Sequence, residues 1–332
     1  MHLNGWAIAG IVIAVILFVV LPSIMFTIMG NVTTKMLKKT KEGVLFTEAL
    51  KGRVDISFYN NGPMKQLNIE GRKFMDENLK EEDLYVESFD KVKLHGYYYK
   101  NPKFPESKKY FIGFHGFKSG PRDEYAPYIK DYLDLGFNIV LIDERAHHKS
   151  EGKYITMGYK EKYDVVSWTK YLVEHFGSDI KILVQGVSMG AASVTLASAL
   201  DLPEQVIGII SDCAYVSPEE ELKFQMKKFN PKTPSGMIMP IAKAFMHVTA
   251  GINFKKANGL EAVKHSKKPI LFVHGKLDQM VPYHFSEELY AACTSEKKLV
   301  IVDYANHGES YGRNQEAYIK NVKEFFKLDE IK

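Results

Sequence analysis

The distribution of apolar and polar residues divides the chain into three stretches. From Trp6 to Gly30 it reads WAIAGIVIAVILFVVLPSIMFTIMG, and the first Lys, Arg, Asp or Glu of the chain is Lys35. From 31 to 83 apolar and lysine-rich positions mix without a sustained period. Within that stretch Gly62-Pro63, followed by Met64, Leu67, Phe74 and Met75, predicts a helix with apolar contacts to a neighbouring unit. From 84 onward the pattern becomes regular. Short β-rich runs are predicted at 84–89, 92–100, 109–115, 137–143, 180–186, 206–212, 268–275 and 298–304, the first two joined by a tight turn at Asp90-Lys91. Helical stretches at 124–135, 159–176, 189–200, 282–293 and 313–327 lie between them. The last six strands are nearly continuous apolar runs, as strands covered on both faces should be. Such alternation predicts a mostly parallel central sheet with helices on both faces, the first hairpin adding an antiparallel edge. The expected organisation is an anchor over 1–30, a juxtamembrane and adaptor segment over 31–83, and an α/β domain over 84–332.

The first stretch changes the picture most. As a helix at about 1.5 Å per residue it would span about 37 Å, enough for a hydrocarbon core of roughly 30 Å. A cleaved signal would need a basic start, a shorter apolar core and a small-x-small cleavage site, and only MHLNG precedes the run. A transmembrane anchor contacting membrane lipid is therefore expected. Lys35, Lys38, Lys39 and Lys41 follow it at once. Basic flanks stay on the cytoplasmic side, which predicts a single-pass protein with its α/β domain in the cytoplasm.

Composition adds exclusions. The 332 residues are 45% hydrophobic and 25% charged with a net charge of +4, which is ordinary for a globular chain. No basic stripe interleaved with aromatics supports a nucleic-acid partner. Cys213 and Cys293 have neither metal spacing nor a disulfide framework, so no metal and no cofactor are expected.

The chemistry is concentrated around Gly186-Val187-Ser188-Met189-Gly190. A strand that turns at once into a helix forces the turning residue into a strained conformation. Glycines two places either side remove side chains that would clash, and the helix N-terminus supplies N–H groups and positive dipole. Ser188 is thus a candidate nucleophile, and it requires a base and an orienting acid. His307 follows the last strand in DYANHGESY, and Asp278 follows the preceding strand in HGKLDQMVP. Asp212, ending strand 206–212, competes for the role of acid. An oxyanion needs donors; the backbone N–H groups of Phe117, after His115-Gly116, and of Met189 are the candidates. His147, His148 and His274 read as surface or loop-packing residues. Some 55 residues without strand pattern, about 213–267, read as a helical lid. Its Phe224, Met226, Phe229, Met237, Met239, Phe245 and Met246 either pack it down or line an acyl pocket. The acids Glu219, Glu220 and Glu221 read as dipole partners at a helix start.

These motifs resemble the α/β-hydrolase superfamily of serine hydrolases over roughly 84–328. The resemblance rests on H-G-F at 115–117, D-E-R-A-H-H-K-S-E-G at 143–152, G-V-S-M-G at 186–190, H-G-K-L-D-Q-M-V-P at 274–282 and N-H-G at 306–308. Within it the chain is similar to bacterial membrane-anchored hydrolases related to serine aminopeptidases and dienelactone-hydrolase-like esterases. The resemblance places the nucleophile on Ser188, the acid on Asp278, the base on His307 and the oxyanion donors on Phe117 and Met189. One departure stands out: relatives often read D-x-R-G-H-G-x-S, and here Ala146 and His148 occupy both glycine positions. Hydrolysis of a small acyl ester is the expected activity, with a peptide amide as the competing substrate. An acyltransferase, or a tethered binding module that has lost catalysis, are the other readings of the same fold. Oligomeric state is not predicted.

Overall fold

The computed structural model describes residues 62–331 together with 34–39, 30, 31 and 27. The predicted anchor over 6–30 therefore lies almost wholly outside the described residues. Among the described residues no helix is long and apolar enough to cross a membrane.

Eight strands form one sheet: β1 (Glu81–Glu87), β2 (Lys93–Tyr99), β3 (Lys109–Phe114), β4 (Phe137–Asp143), β5 (Lys181–Val187), β6 (Val206–Asp212), β7 (Ile270–Gly275) and β8 (Lys297–Val302). Their spatial order is β1-β2-β4-β3-β5-β6-β7-β8. β1 and β2 pair antiparallel with each other, β2 pairs antiparallel with β4, and every pair from β4 to β8 is parallel. This is the expected parallel sheet with an antiparallel hairpin at one edge. The hairpin closes with Ser88 N–H donating to the Val92 carbonyl (2.9 Å) and Lys91 in the left-handed region at φ 66°. Every residue of β4 and β7 is buried, whereas β8, at the opposite edge, is half-buried throughout.

From residue 62 onward the helices are α1 (Pro63–Asn78), α2 (Pro121–Tyr125), α3 (Ile129–Asp134), α4 (Glu161–Phe176), α5 (Met189–Ala197), α6 (Pro218–Phe229), α7 (Ser235–Ala250), α8 (Gly259–Lys264), α9 (His284–Ala292), α10 (Ser310–Arg313) and α11 (Gln315–Phe325). Two boundaries differ from the sequence reading for reasons of proline chemistry. The helix expected over 124–135 is broken into α2, a single 3-10 turn at Ala126–Tyr128 and α3, because Pro127 has no N–H to continue the ladder. β7 starts at Ile270 and not at 268 because Pro269 cannot donate to a neighbouring strand.

The region before the sheet is more tightly held than its composition suggests. α1 packs through Met75, Met64, Leu67 and Phe74 into the core cluster that contains Phe111, Tyr125 and Tyr128. An added Cβ on its Gly71 would run into the Ala126 carbonyl, so the helix is seated backbone to backbone. Leu37, within the lysine-rich flank, is fully buried beside Met157 and Met246. Lys39 Nζ donates to the Ser150 carbonyl (2.6 Å), and Ile155 N–H donates to the Leu37 carbonyl (2.7 Å). Residues 34–39, within the expected juxtamembrane segment, are thus docked on the domain.

The lid region is helical as expected, built from α6, α7 and α8. Its apolar residues divide. Met239 and Met246 are buried, whereas Phe229 and Met237 are 74% and 77% exposed. Of those named, Met246 packs on Leu37, and the two exposed residues line no acyl pocket.

Candidate active site

β5 delivers Ser188 at φ 55°, ψ −114°, and α5 starts at the next residue. The geometry leaves no room for side chains at the flanking glycines. A Cβ on Gly186 would meet the Gly190 carbonyl, and one on Gly190 would meet the Phe114 carbonyl. Ser188 N–H donates to the Asp212 carbonyl (2.9 Å), and its own carbonyl accepts from Ala192 N–H (3.0 Å), which pins the strained residue from both sides. Ser188 stays half-buried while Val187 and Met189 are fully covered. The elbow predicted from the sequence is present.

The loops after β7 and β8 bring the other two predicted residues to it. His307 Nε2 lies 2.9 Å from Ser188 Oγ, and His307 Nδ1 lies 2.7 Å from Asp278 Oδ2. Because a carboxylate only accepts, Nδ1 carries the hydrogen and Nε2 is left to accept from the serine hydroxyl. The two loops are stitched together: Asn306 Oδ1 accepts from Gln279 N–H (3.1 Å) and from His307 N–H (2.8 Å). Gly275 is required at the foot of the acid loop, since a Cβ there would press on the Ala305 and Asn306 carbonyls.

Asp278 is surrounded by donors. Its Oδ1 accepts from Met280 N–H (2.7 Å) and Val281 N–H (2.8 Å); its Oδ2 accepts from His307 and from His274 Nε2 (3.1 Å). Burial alone would raise this carboxyl, but the charge of His307 and hydrogen bonds from His274 and His307 outweigh it, holding it far below the usual carboxylate range. His274, read from the sequence as loop packing, is therefore a direct partner of the acid. Its Nε2 also faces the Val281 carbonyl (2.9 Å), so Nε2 carries the hydrogen and Nδ1 is free to accept from Ser286 (2.7 Å). Asp212, the competing acid, is engaged elsewhere: Tyr318 O–H donates to its Oδ2 (3.1 Å), and burial pushes it up to about 7.

The loop carrying Phe117 is braced by two neutral histidines. His115 Nε2 accepts from Glu144 N–H (3.1 Å) and its Nδ1–H donates to the Gly116 carbonyl (2.8 Å). His147 Nε2 accepts from Lys118 N–H (3.1 Å) and its Nδ1–H donates to the Arg145 carbonyl (2.9 Å). Burial lowers His115 well below its ordinary value and His147 to about 3, so both act as fixed struts. A Cβ on Gly116 would lie 3.4 Å from Ser188 Cβ, which puts the start of the Phe117 loop against the serine. Met189, the other predicted donor, opens α5 directly after it. The Arg145 guanidinium holds the second motif in place through Asp164 (2.6 Å) and Asp90 (3.1 Å). Ala146 and His148, standing at the glycine positions of that motif, adopt φ 58° and φ 38°. The fold keeps the glycine conformation without the glycines.

Three further groups lie near the site, none of them assigned to it from the sequence. Glu124 is half-buried, accepts from Gly116 N–H (3.4 Å), and is raised by burial. Cys213 follows β6 at φ 53°, and burial pushes its thiol up to about 11. Cys213, Asp278 and His307 each place a donor atom within 4.8 Å of the others, a convergence that their spacing of 65 and 29 positions along the chain conceals; Asp278 and His307 are already joined to each other. Glu221, one of the three acids at the lid start, turns inward. Ser217 Oγ caps the helix by accepting from Glu220 N–H (3.2 Å), and Glu219 pairs with Lys223 and Lys243. Glu221 instead is 8% exposed and accepts from Gln225 Nε2 (2.7 Å), which also donates to the Met280 carbonyl (2.6 Å) beside the acid. Burial pushes its carboxyl up to about 7.

The sequence profile of the prolyl oligopeptidase family matches residues 128–329. The uncharacterised protein YqkD of Bacillus subtilis is 32% identical over 201 residues, 60% of this chain and 65% of that protein. The chain thus spans just under two thirds of YqkD. The esterase Pf2001 of Pyrococcus furiosus superposes with a TM-score of 0.61 at 27% identity, covering 76% of this chain and 94% of that one. Est1E of Butyrivibrio proteoclasticus, solved with ferulic acid, superposes at 0.58 and 23% identity over 75% and 99%, a likeness of fold.

Proposed function

The chain belongs to the prolyl oligopeptidase family and is an α/β-hydrolase, and from that premise we propose that it cleaves carboxylic esters through an acyl-enzyme on Ser188. The observation that carries the reading is the continuous relay from Ser188 Oγ through His307 to Asp278, at 2.9 and 2.7 Å. Ser188 Oγ attacks the ester carbonyl as His307 Nε2 takes its proton. The N–H groups of Phe117 and Met189 hold the resulting oxyanion, and His307 returns the proton to the leaving alcohol. Water then repeats the sequence on the acyl-serine. Asp278 keeps the imidazole in the tautomer that accepts from serine and stabilises the imidazolium.

Esters of short or medium acyl chain are the proposed substrates; that Pf2001 is an esterase supports the ester and not the chain length. Glu221 favours a second reading. A buried carboxyl on the lid wall beside the acid loop could hold the ammonium of a peptide N-terminus, which would make the protein an aminopeptidase. A fluorophosphonate probe tests the mechanism: it should label the wild type and leave Ser188→Ala unlabelled and inactive with its fold intact. Undiminished turnover by Ser188→Ala would overturn the mechanism. Matched p-nitrophenyl esters and aminoacyl anilides, each corrected for intrinsic reactivity, decide the substrate. Greater acceleration of the anilides would make it an aminopeptidase.

Residues 6–30 are proposed to anchor the chain, with the catalytic domain on the cytoplasmic side. The support is an apolar run without charge followed by Lys35, Lys38, Lys39 and Lys41. The full chain should resist salt and carbonate extraction from membranes, and extraction by carbonate would refute the anchor. Protease applied to intact cells should spare the domain; its digestion would reverse the orientation.

A further inference from the structure

The lid carries a surface that hydrolysis does not explain. α7 is apolar on two opposite sides: Met239, Ala242, Met246 and Ala250 face the domain and are buried, while Met237 and Val248 on the outer side are 77% and 82% exposed. Those two lie eleven residues apart, close to three whole turns, and so share one face with Pro240 and Ala244 between them. Phe229, ending α6 just before, is 74% exposed. A surface helix normally turns charge outward, and an exposed apolar face of this kind marks an interaction surface.

Charge points to what covers it. Residues 222–260 contain seven lysines and not one Asp or Glu. Lys223 and Lys243 are paired with Glu219 and Glu220, which lie before that stretch. Lys227 and Lys232 flank Phe229 and form no ion pair among the described residues. Exposed large apolar groups interleaved with lysines, without acids, are the composition of a segment that lies in the headgroup region of an anionic membrane. With the anchor proposed above at residues 6–30, a further contact puts the membrane on the same side. Gly30, at the end of the long apolar run, lies so close to the Phe245 ring of α7 that a Cβ there would touch it at 2.6 Å.

We propose that the outer face of α6 and α7, from Phe229 through Val248, docks on the surface of an anionic lipid bilayer. The apolar side chains enter the interface and Lys227 and Lys232 meet the phosphates. The docked lid roofs the site, because α6 is tied to the acid loop through Gln225 and Lys228, whose Nζ donates to the Gln279 carbonyl. A substrate dissolved in the membrane would then be delivered at the lid. The docking itself does not depend on Ser188 being the nucleophile.

The test uses the full chain in vesicles and reads position instead of activity. Cys213 and Cys293 are both buried, so an environment-sensitive thiol fluorophore will go to an introduced Met237→Cys. Asp201→Cys, in the loop that enters β6 and therefore at the opposite end of the sheet from the site, is the control. In vesicles with roughly a third anionic lipid, brominated acyl chains should quench the probe at 237 and not at 201. The double variant Lys227→Glu, Lys232→Glu should lower quenching at 237 to the control level, as should vesicles of purely zwitterionic lipid. Equal quenching at 237 whatever the lipid charge, or none above the control, overturns the proposal. Protection of the 237 probe from aqueous iodide in purely zwitterionic vesicles, where brominated chains do not quench it, would also overturn it by showing a protein surface or second copy over the face.

Discussion

Replacing Asp278 with asparagine tests the proposed relay at the point where the structure is most explicit. The carboxylate accepts four N–H donors, two at each oxygen. An amide has only one accepting oxygen. If that oxygen stays with the Met280 and Val281 N–H groups, the NH₂ faces His307 Nδ1 and His274 Nε2, and donor meets donor. His307 relieves the clash by moving its hydrogen to Nε2, so that Nδ1 accepts from the amide. Nε2 then presents a hydrogen to Ser188 Oγ and cannot take its proton. The expected loss in kcat is about 10⁴-fold, or roughly 5 kcal/mol of barrier. KM for an uncharged ester should stay within a few-fold, because Asp278 touches no substrate in this mechanism. The parallel variant Asp212→Asn should keep its rate within about tenfold, since the Asp212 side chain accepts from Tyr318. Burst kinetics with a p-nitrophenyl ester separates acylation from deacylation, and both should slow in Asp278→Asn. A loss smaller than tenfold in that variant, or a larger loss in Asp212→Asn, would refute the assignment of the acid.

Asp212→Asn also has a stability signature. Its folded carboxyl is raised by burial from 3.8 to about 7, so the native state holds a proton that the unfolded chain has lost. Asp212 should therefore contribute a fall in stability of up to about 4 kcal/mol as pH rises from 4 through 7, and the asparagine variant should fall less than the wild type by that amount in urea titrations at the two pH values, the share of Glu221 being common to both; parallel pH profiles would refute the buried neutral state. Ala146→Gly should change stability by less than about 1 kcal/mol, because relief at φ 58° is offset by a lost methyl and a freer unfolded chain. Ala146→Val puts a β-branched residue into the left-handed region and should cost about 3 kcal/mol by thermal melting; a tolerated valine would mean that the loop is not held where it is seen.

The elements legible in the sequence were those whose signal is local. β-rich runs at even spacing, and a serine flanked by glycines between a strand and a helix, are properties of a few adjacent residues. The order Ser188, Asp278, His307 became informative because each residue follows a recognised strand. What stayed hidden depends on phase or on distant partners. Three successive acids on a helix point about 100° apart, so only the phase of α6 reveals that Glu221 alone turns inward. His274 reads as the end of a strand until the chain after it folds back to place Asp278 on its Nε2. Leu37 sits among lysines that signal solvent, and only the docked backbone around Ile155 shows why it is buried. The break at Pro127 was readable in principle. The apolar run across it outweighed the missing N–H.

The acids around His307 show why one of them alone suits the orienting role. Asp278, Asp212 and Glu221 are all buried, and burial raises every carboxyl. What distinguishes them is the number of donors. Asp278 receives four and is driven far below the ordinary range. Asp212 receives one hydroxyl, and its Oδ1 finds no partner among the described residues; Glu221 receives one amide, and its Oε2 likewise finds none. Both come to about 7. Near neutral pH, then, the charge fixed beside the proposed base is that of Asp278, while Asp212 and Glu221 sit at the edge of ionisation. Three full negative charges there would over-stabilise the imidazolium and hold back its return of the proton to the leaving group. Keeping two of the acids short of donors avoids this. It also leaves Glu221 able to ionise when a positively charged substrate supplies the missing partner, which would favour the peptide over the ester at that one position.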